Sequence, residues 1–199
     1  DGTLLDVPGQ PAHVADIIKQ RSRLGAYPTY EFKGLIFAYL GPIDEKPEFP
    51  MYDSLNFKDM EMVPYKAPFN CNWLQVLDAI VDPIHTSFLH SNMSRQQFSE
   101  GFGEVGQIDF FERDSWILGC NTRRVGDNIW FRINEVVLPN FTQAGAAFAA
   151  DGTKQIHYGR SSFTRWVVPI DDETTICYAW ANFGERGDPE EFNTPEGPE

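Results

Sequence analysis

Residues 72–90 read NWLQVLDAIVDPIHTSFLH, and the fold is decided by how that stretch is placed. On a helix it sorts into two faces. Trp73, Val76, Leu77, Ile80, Val81, Ile84 and Phe88 follow the 3-and-4 spacing of one apolar stripe. Asn72, Gln75, Asp78, Asp82 and His85 follow the same spacing on the opposite side. A surface helix would carry Lys and Glu there, yet the stretch holds no Lys or Arg. Amides, carboxylates and imidazole in a row suit a face turned toward a polar cavity. The pattern predicts a helix over residues 71–91 with its stripe in the core.

His85 and His90 lie five residues apart. At about 100° per residue, positions i and i+5 diverge by roughly 140° on an ideal helix. They converge on one metal only if the helix bends or loosens, and Pro83 gives a reason to do so because it cannot donate to the Ala79 carbonyl. An imidazole pair with open coordination positions suits zinc or non-haem iron. The metalloprotease pattern HExxH is absent, since the spacing differs and Thr86 stands where its Glu would follow the first His. The alternative is an ordinary buried helix with two satisfied histidines.

The pattern NW-x-Q-x-x-D-x-x-x-D-P-x-H-x-x-x-L-H resembles the mononuclear-iron helix of the Rieske non-haem iron oxygenases, large (alpha) subunit, which are aromatic-ring hydroxylases and demethylases. The resemblance implies that His85 and His90 are two of three iron ligands, the third being an aspartate. It implies that Asp82 is the acid bridging the iron to a Rieske cluster in a neighbouring subunit, and it places Asn72 and Asp78 at polar positions beside the site. From residues alone, Asp82 is one turn before His85, where it could orient that imidazole through its free ring nitrogen or act as a local cap before Pro83.

Composition narrows the class. The chain has 199 residues and a formal charge of −13, which disfavours nucleic acid and an anionic membrane surface as partners. No window is apolar enough for a membrane span, and no signal peptide is visible. Cys71, Cys120 and Cys177 show no paired spacing, which suits reduced thiols in a cytoplasm. Aromatic residues make up 14% of the chain, enough for a substantial core and an apolar pocket. The chain begins without Met and ends in NTPEGPE, and so reads as a fragment.

Residues 1–45 read as short strands and turns with one amphipathic piece in PAHVADIIKQRSRL, and residues 29–41 read as one or two buried strands. By resemblance this is the end of a small all-β Rieske domain. Its [2Fe–2S] ligands, CxH and CxxH pairs, are absent from the chain, and His13 alone reads as a surface residue. Residues 46–70, rich in Pro and aromatics, read as a crossover. By resemblance, residues 71–199 are a partial catalytic iron-binding domain, and 91–106 read as a loop. From residue 104 the pattern changes to period two, broken at Arg113-Asp114, Gly126-Asp127-Asn128, Pro139-Asn140, Asp151-Gly152 and Asp171-Asp172. Short breaks of this kind imply an antiparallel meander, with Asp151-Gly152 the clearest hairpin. The fold class is therefore α+β, and the resemblance implies a helix-grip (START-like) antiparallel sheet with the iron-ligand helix packed on it.

The function implied by the resemblance is hydroxylation or oxidative demethylation of a small aromatic compound with dioxygen at Fe(II). Electrons would come from NAD(P)H through a reductase or ferredoxin and the cluster, within a homotrimer. The third ligand is expected beyond residue 199, since Asp151, Asp171, Asp172 and Asp188 sit in turn or tail contexts. Phe131, Phe148, Phe163 and Trp180 are candidates to line a substrate cavity or are plain core. Two other classes remain: a non-catalytic helix-grip small-ligand-binding domain, and a zinc hydrolase, which lacks a Glu beside the histidines.

Overall fold

The structure, a computed structural model, describes residues 1–56, 60–90, 103–145 and 161–184. It divides into two compact units, Asp1–Met51 and Tyr52–Glu199.

In the first unit Pro11 precedes helix α1 (Ala12–Arg21), a position where its missing N–H costs nothing. Lys19 and Arg21 in the last turn complement the helix dipole. Strands β1 (Thr29–Phe32) and β2 (Leu35–Ala38) form an antiparallel hairpin running from Thr29↔Ala38 to Phe32↔Leu35. The turn residues Lys33 and Gly34 have φ of 44° and 80°, the double positive value of a type I′ turn. Tyr30, Phe32 and Phe37 gather around Phe49, with ring centroids 4.6–5.8 Å from it. These strands are not the buried ones expected over 29–41. Ile36 and Leu40 are exposed, because a two-stranded ribbon has too few layers to cover both faces.

The second unit is a seven-stranded antiparallel sheet in the order β3-β9-β8-β7-β6-β5-β4. Its strands are β3 (Met60–Phe69), β4 (Gln107–Arg113), β5 (Trp116–Val125), β6 (Asn128–Val137), β7 (Phe141–Gly145), β8 (Ser161–Pro169) and β9 (Thr175–Gly184). Strands β4 to β9 form a meander whose described turns fall at the Gly, Asp and Pro positions read from the sequence. At the β8–β9 turn Asp171 Oδ1 accepts from the amides of Glu173 and Thr174 at 2.9 and 2.7 Å. The Asp151-Gly152 turn lies outside the described residues, and the flanking β7 and β8 pair antiparallel. Residues 46–70 are not a plain crossover, because β3 occupies their second half. It is an edge strand paired with β9, and an edge tolerates Pro64 and Pro68 because a missing N–H on the outer side breaks no ladder.

Both sheet faces are covered in part. Helix α2 (Trp73–Val81) packs Val76, Leu77 and Ile80 against Val136, Val167 and Cys177. On the opposite face Leu55 is buried, Tyr52 stacks on Phe141 at 4.5 Å, and Phe141, Trp166 and Trp180 form a chain of edge contacts. Strand β9 divides its residues accordingly. Cys177, Ala179 and Ala181 face α2, while Tyr178, Trp180 and Asn182 face away.

Candidate metal centre

Helix α2 is fixed at both ends. Asn72 is its cap: Oδ1 accepts from the Leu74 amide at 2.9 Å, and the Asn72 amide donates to Gln75 Oε1 at 3.2 Å. The Asn72 Nδ2 group also donates to the Asp172 carbonyl at 3.0 Å, and Thr175 Oγ1 donates to the Cys71 carbonyl at 2.8 Å. The start of the helix is thus tied to the β8–β9 end of the sheet. At the other end Pro83 supplies no N–H for Ala79, and the Ile84 amide turns instead to Asp82 Oδ1 at 2.8 Å. That leaves the Ile80 carbonyl, which accepts from Asn134 Nδ2 at 2.8 Å. The Val81 carbonyl lies over Gly119, where an added Cβ would stand 2.9 Å from that oxygen.

Beyond the break the chain resumes as a π-helical turn, Thr86–His90. Such a turn closes through i→i+5 hydrogen bonds, so residues five apart come into line. His85 and His90 meet accordingly, with ring centroids 5.2 Å apart and planes at 66°. That separation is compatible with two imidazoles sharing one ion. Thr86 Oγ1 donates to the Pro83 carbonyl at 2.5 Å, and Ser87 Oγ donates to the Glu104 carbonyl at 3.2 Å. The change of phase also corrects the sequence expectation for the stripe. Ile84 and Phe88 are 44% and 63% exposed rather than core, while Thr86 and Ser87 are buried.

Asp82 is half-buried and acts in two ways. Its Oδ1 caps the Ile84 amide, and Oδ2 accepts from the His85 amide at 3.4 Å. Oδ2 also lies 3.6 Å from His85 Nδ1, an ion-pair distance longer than a hydrogen bond. That Nδ1 is a buried ring nitrogen with no hydrogen-bond partner. In a metal-ligating histidine the ring nitrogen away from the ion donates to such a carboxylate, and here the two groups face each other just beyond that distance. Asp78 is exposed, and its carbonyl accepts from the Asp82 amide at 3.1 Å. Among the described residues no third His, Cys, Asp or Glu completes a metal-binding group.

The sheet beneath carries residues that sequence reading passed over. Asn134 and Gly119 hold the helix end. The signals available were an amide at an inward position of a strand and a glycine inside a strand. Arg123 is buried, with Nε donating to Asn121 Oδ1 at 2.6 Å and its guanidinium 4.9 Å over the Trp130 ring. Burial pulls its pKa down, opposed by the charge of Glu104. Of the cavity candidates, Phe163 is half-buried on the α2 side under Arg165. Trp180 is fully buried on the opposite face, Phe131 is exposed, and Phe148 lies outside the described residues.

Residues 38–102 match a family model described as LigXa C-terminal domain like. Over 96% of its length the chain is 38% identical to the tert-butanol monooxygenase / tert-amyl alcohol desaturase oxygenase subunit of Aquincola tertiaricarbonis, 42% of which is covered. The fold is similar to that of a quaternary ammonium Rieske monooxygenase, with a TM-score of 0.57 at 14% identity over 96% of this chain and 51% of that one. This chain belongs to the Rieske oxygenases. A further member of this Rieske oxygenase group, the phenoxybenzoate dioxygenase subunit alpha of Ectopseudomonas oleovorans, is 31% identical over 87% of the chain and 44% of its own length. The chain spans about two fifths of the length of these curated relatives.

Proposed function

We propose that His85 and His90 are two protein ligands of a mononuclear Fe(II), and that the oxygenase containing them hydroxylates or oxidatively demethylates a small aromatic compound. The observation that carries this is the meeting of two imidazoles, five residues apart, on a π-helical turn. Bound Fe(II) supplies the site at which dioxygen is reduced, with electrons from NAD(P)H by way of a reductase or ferredoxin and a [2Fe–2S] cluster. The chain's own residues do the positioning. Asp82 faces the Nδ1 side of His85 across 3.6 Å and leaves the other ring nitrogen for the metal. Pro83, Thr86, Ser87 and Asn134 fix the turn through the bonds already described. A carboxylate from outside the described residues completes the ligand set. Asp82 serves as the bridge toward the cluster of a neighbouring subunit in a trimer, and the sheet with α2 is of the helix-grip kind.

Metal analysis of the intact protein tests this. The expected result is mononuclear iron in the wild type, lost in His85→Ala and His90→Ala while circular dichroism stays unchanged. Full iron retention in both variants would sink the ligand assignment. Retention of a small ligand without iron in any variant would favour a binding domain, and zinc with hydrolytic activity would favour a hydrolase.

A further inference from the structure

Strand β5 carries a row of residues on the face that meets α2. Gly119 lies beneath the Val81 carbonyl, and Asn121 and Arg123 continue the row on the same face, two and four residues on. Arg123 is 4% exposed and is held at two points. Its Nε donates to Asn121 Oδ1 at 2.6 Å, and its guanidinium lies 4.9 Å over the ring of Trp130, its cross-strand partner. Burial penalises this cation, and the charge of Glu104 opposes the penalty.

Glu104 belongs to the lead into β4, and this lead connects the histidine turn to that row. On one side the Glu104 carbonyl accepts from Ser87 Oγ at 3.2 Å, and Ser87 is a buried residue of the π-helical turn between His85 and His90. On the other side the lead rests on β5. At Gly106 an added Cβ would stand 2.5 Å from the Thr122 carbonyl oxygen, 2.9 Å from Asn121 Oδ1 and 3.0 Å from Arg123 Cβ. No side chain fits in that gap, so the backbone lies directly on the Asn121–Arg123 pair. The height of the histidine turn over the sheet is therefore set by what the lead rests on.

The geometry points to Arg123 as a positioning residue of the proposed metal centre. Clamped by Asn121 and Trp130, it forms the seat for residues 104–106, and the seat holds Ser87 and with it the spacing of His85 and His90. The inference rests on the reading of those histidines as iron ligands. It adds a support separate from Asn134, which holds the end of α2 that precedes the turn.

Fe(II) affinity of the intact protein, read by competition with a chromophoric chelator alongside Tm, tests the seat. Arg123→Lys keeps the charge but loses the planar guanidinium, and should weaken Fe(II) binding about tenfold. Ser87→Ala frees the turn from Glu104 and should weaken it by a similar factor, about tenfold. The double variant should bind Fe(II) within about twofold of the weaker single variant, because both changes cut one path. A general loss of stability would instead multiply the two effects. Glu104→Gln, a change at an exposed position, should weaken binding about threefold at low salt and lose that effect at high salt. The proposal is overturned if Arg123→Lys and Glu104→Gln both bind Fe(II) as wild type does. It is overturned equally if the effects of Arg123→Lys and Ser87→Ala multiply in the double variant. Either result, with Fe(II) bound by the wild type, leaves the ligand assignment standing. A wild type that binds no Fe(II) overturns the ligand assignment and the seat together.

Discussion

Replacing Asn134 with Ala should loosen the proposed metal centre from a distance. The Asn134 side chain is buried and serves two backbone groups, donating to the Ile80 carbonyl at 2.8 Å and accepting from the Gly145 amide at 3.3 Å. In Asn134→Ala both groups lose that partner inside the protein. An unsatisfied buried polar group costs about 1–3 kcal/mol, and the longer bond to Gly145 falls at the low end, so the sum is about 2–4 kcal/mol. For a unit of this size that corresponds to a fall in Tm of about 5–15 °C. The Ile80 carbonyl sits five residues before His85, so iron retention should fall along with Tm. Differential scanning calorimetry and metal analysis read the two effects. Asn134→Asp sharpens the comparison. It keeps the acceptor for Gly145 but sets a carboxylate against the Ile80 carbonyl, and should be at least as damaging at neutral pH. A Tm within 2 °C of wild type for Asn134→Ala, with full iron retention, would refute the idea that this amide holds the helix end.

Gly119→Ala should push the Val81 carbonyl from its seat, because the new Cβ would stand 2.9 Å from that oxygen. Lower iron occupancy with the sheet intact by circular dichroism is expected, and unchanged metal content would count against the close packing. Asp82→Ala should abolish coupled turnover in the reconstituted oxygenase while Tm moves by only about 1 kcal/mol equivalent, the value of a cap; near-normal product formation would remove its bridging role. Burial raises the Glu135 carboxyl pKa above its ordinary value of 4.5. The folded state therefore holds its proton longer than the unfolded state, so this group makes stability fall as pH rises from the ordinary value to the raised one. Glu135→Gln should remove that fall and be the more stable protein at neutral pH, with the difference vanishing below about pH 4. Chemical denaturation across that range gives the answer.

The sequence shows the antiparallel meander because each described turn carries its own chemistry, such as Asp171 collecting three donors from Glu173 and Thr174. It shows α2 because the stripe of Val76, Leu77 and Ile80 is periodic. Strand β3 was hidden for a physical reason. Two prolines lower strand propensity everywhere except on an edge, and edge position is a property of the assembled sheet. The histidine pair was visible as a spacing that an α-helix forbids, with Pro83 as a reason for the exception. The form of that exception was not visible. A π-helical turn is stabilised by partners distant in sequence, here Glu104 for Ser87, with Asn134 capturing the carbonyl that Pro83 and its neighbours leave behind. Asn72 illustrates the converse case. The resemblance placed it at a polar position beside the site, and its described bonds anchor the helix start.

The tethering of α2 at both ends divides rigidity from adaptability along a single chain segment. Residues 72–81 are moored to the sheet at Asp172 and Asn134, while the histidine-bearing turn that follows is a short outrigger tied through Thr86 and Ser87 to the Pro83 and Glu104 carbonyls. Opening of that outrigger does not require the sheet to part. Capture and release of the proposed metal would then run on the timescale of one local turn, and amide exchange should be slower through α2 than across residues 86–90. Metal affinity then becomes a property that substitutions near Pro83 can retune while the stability of the sheet stays where it is.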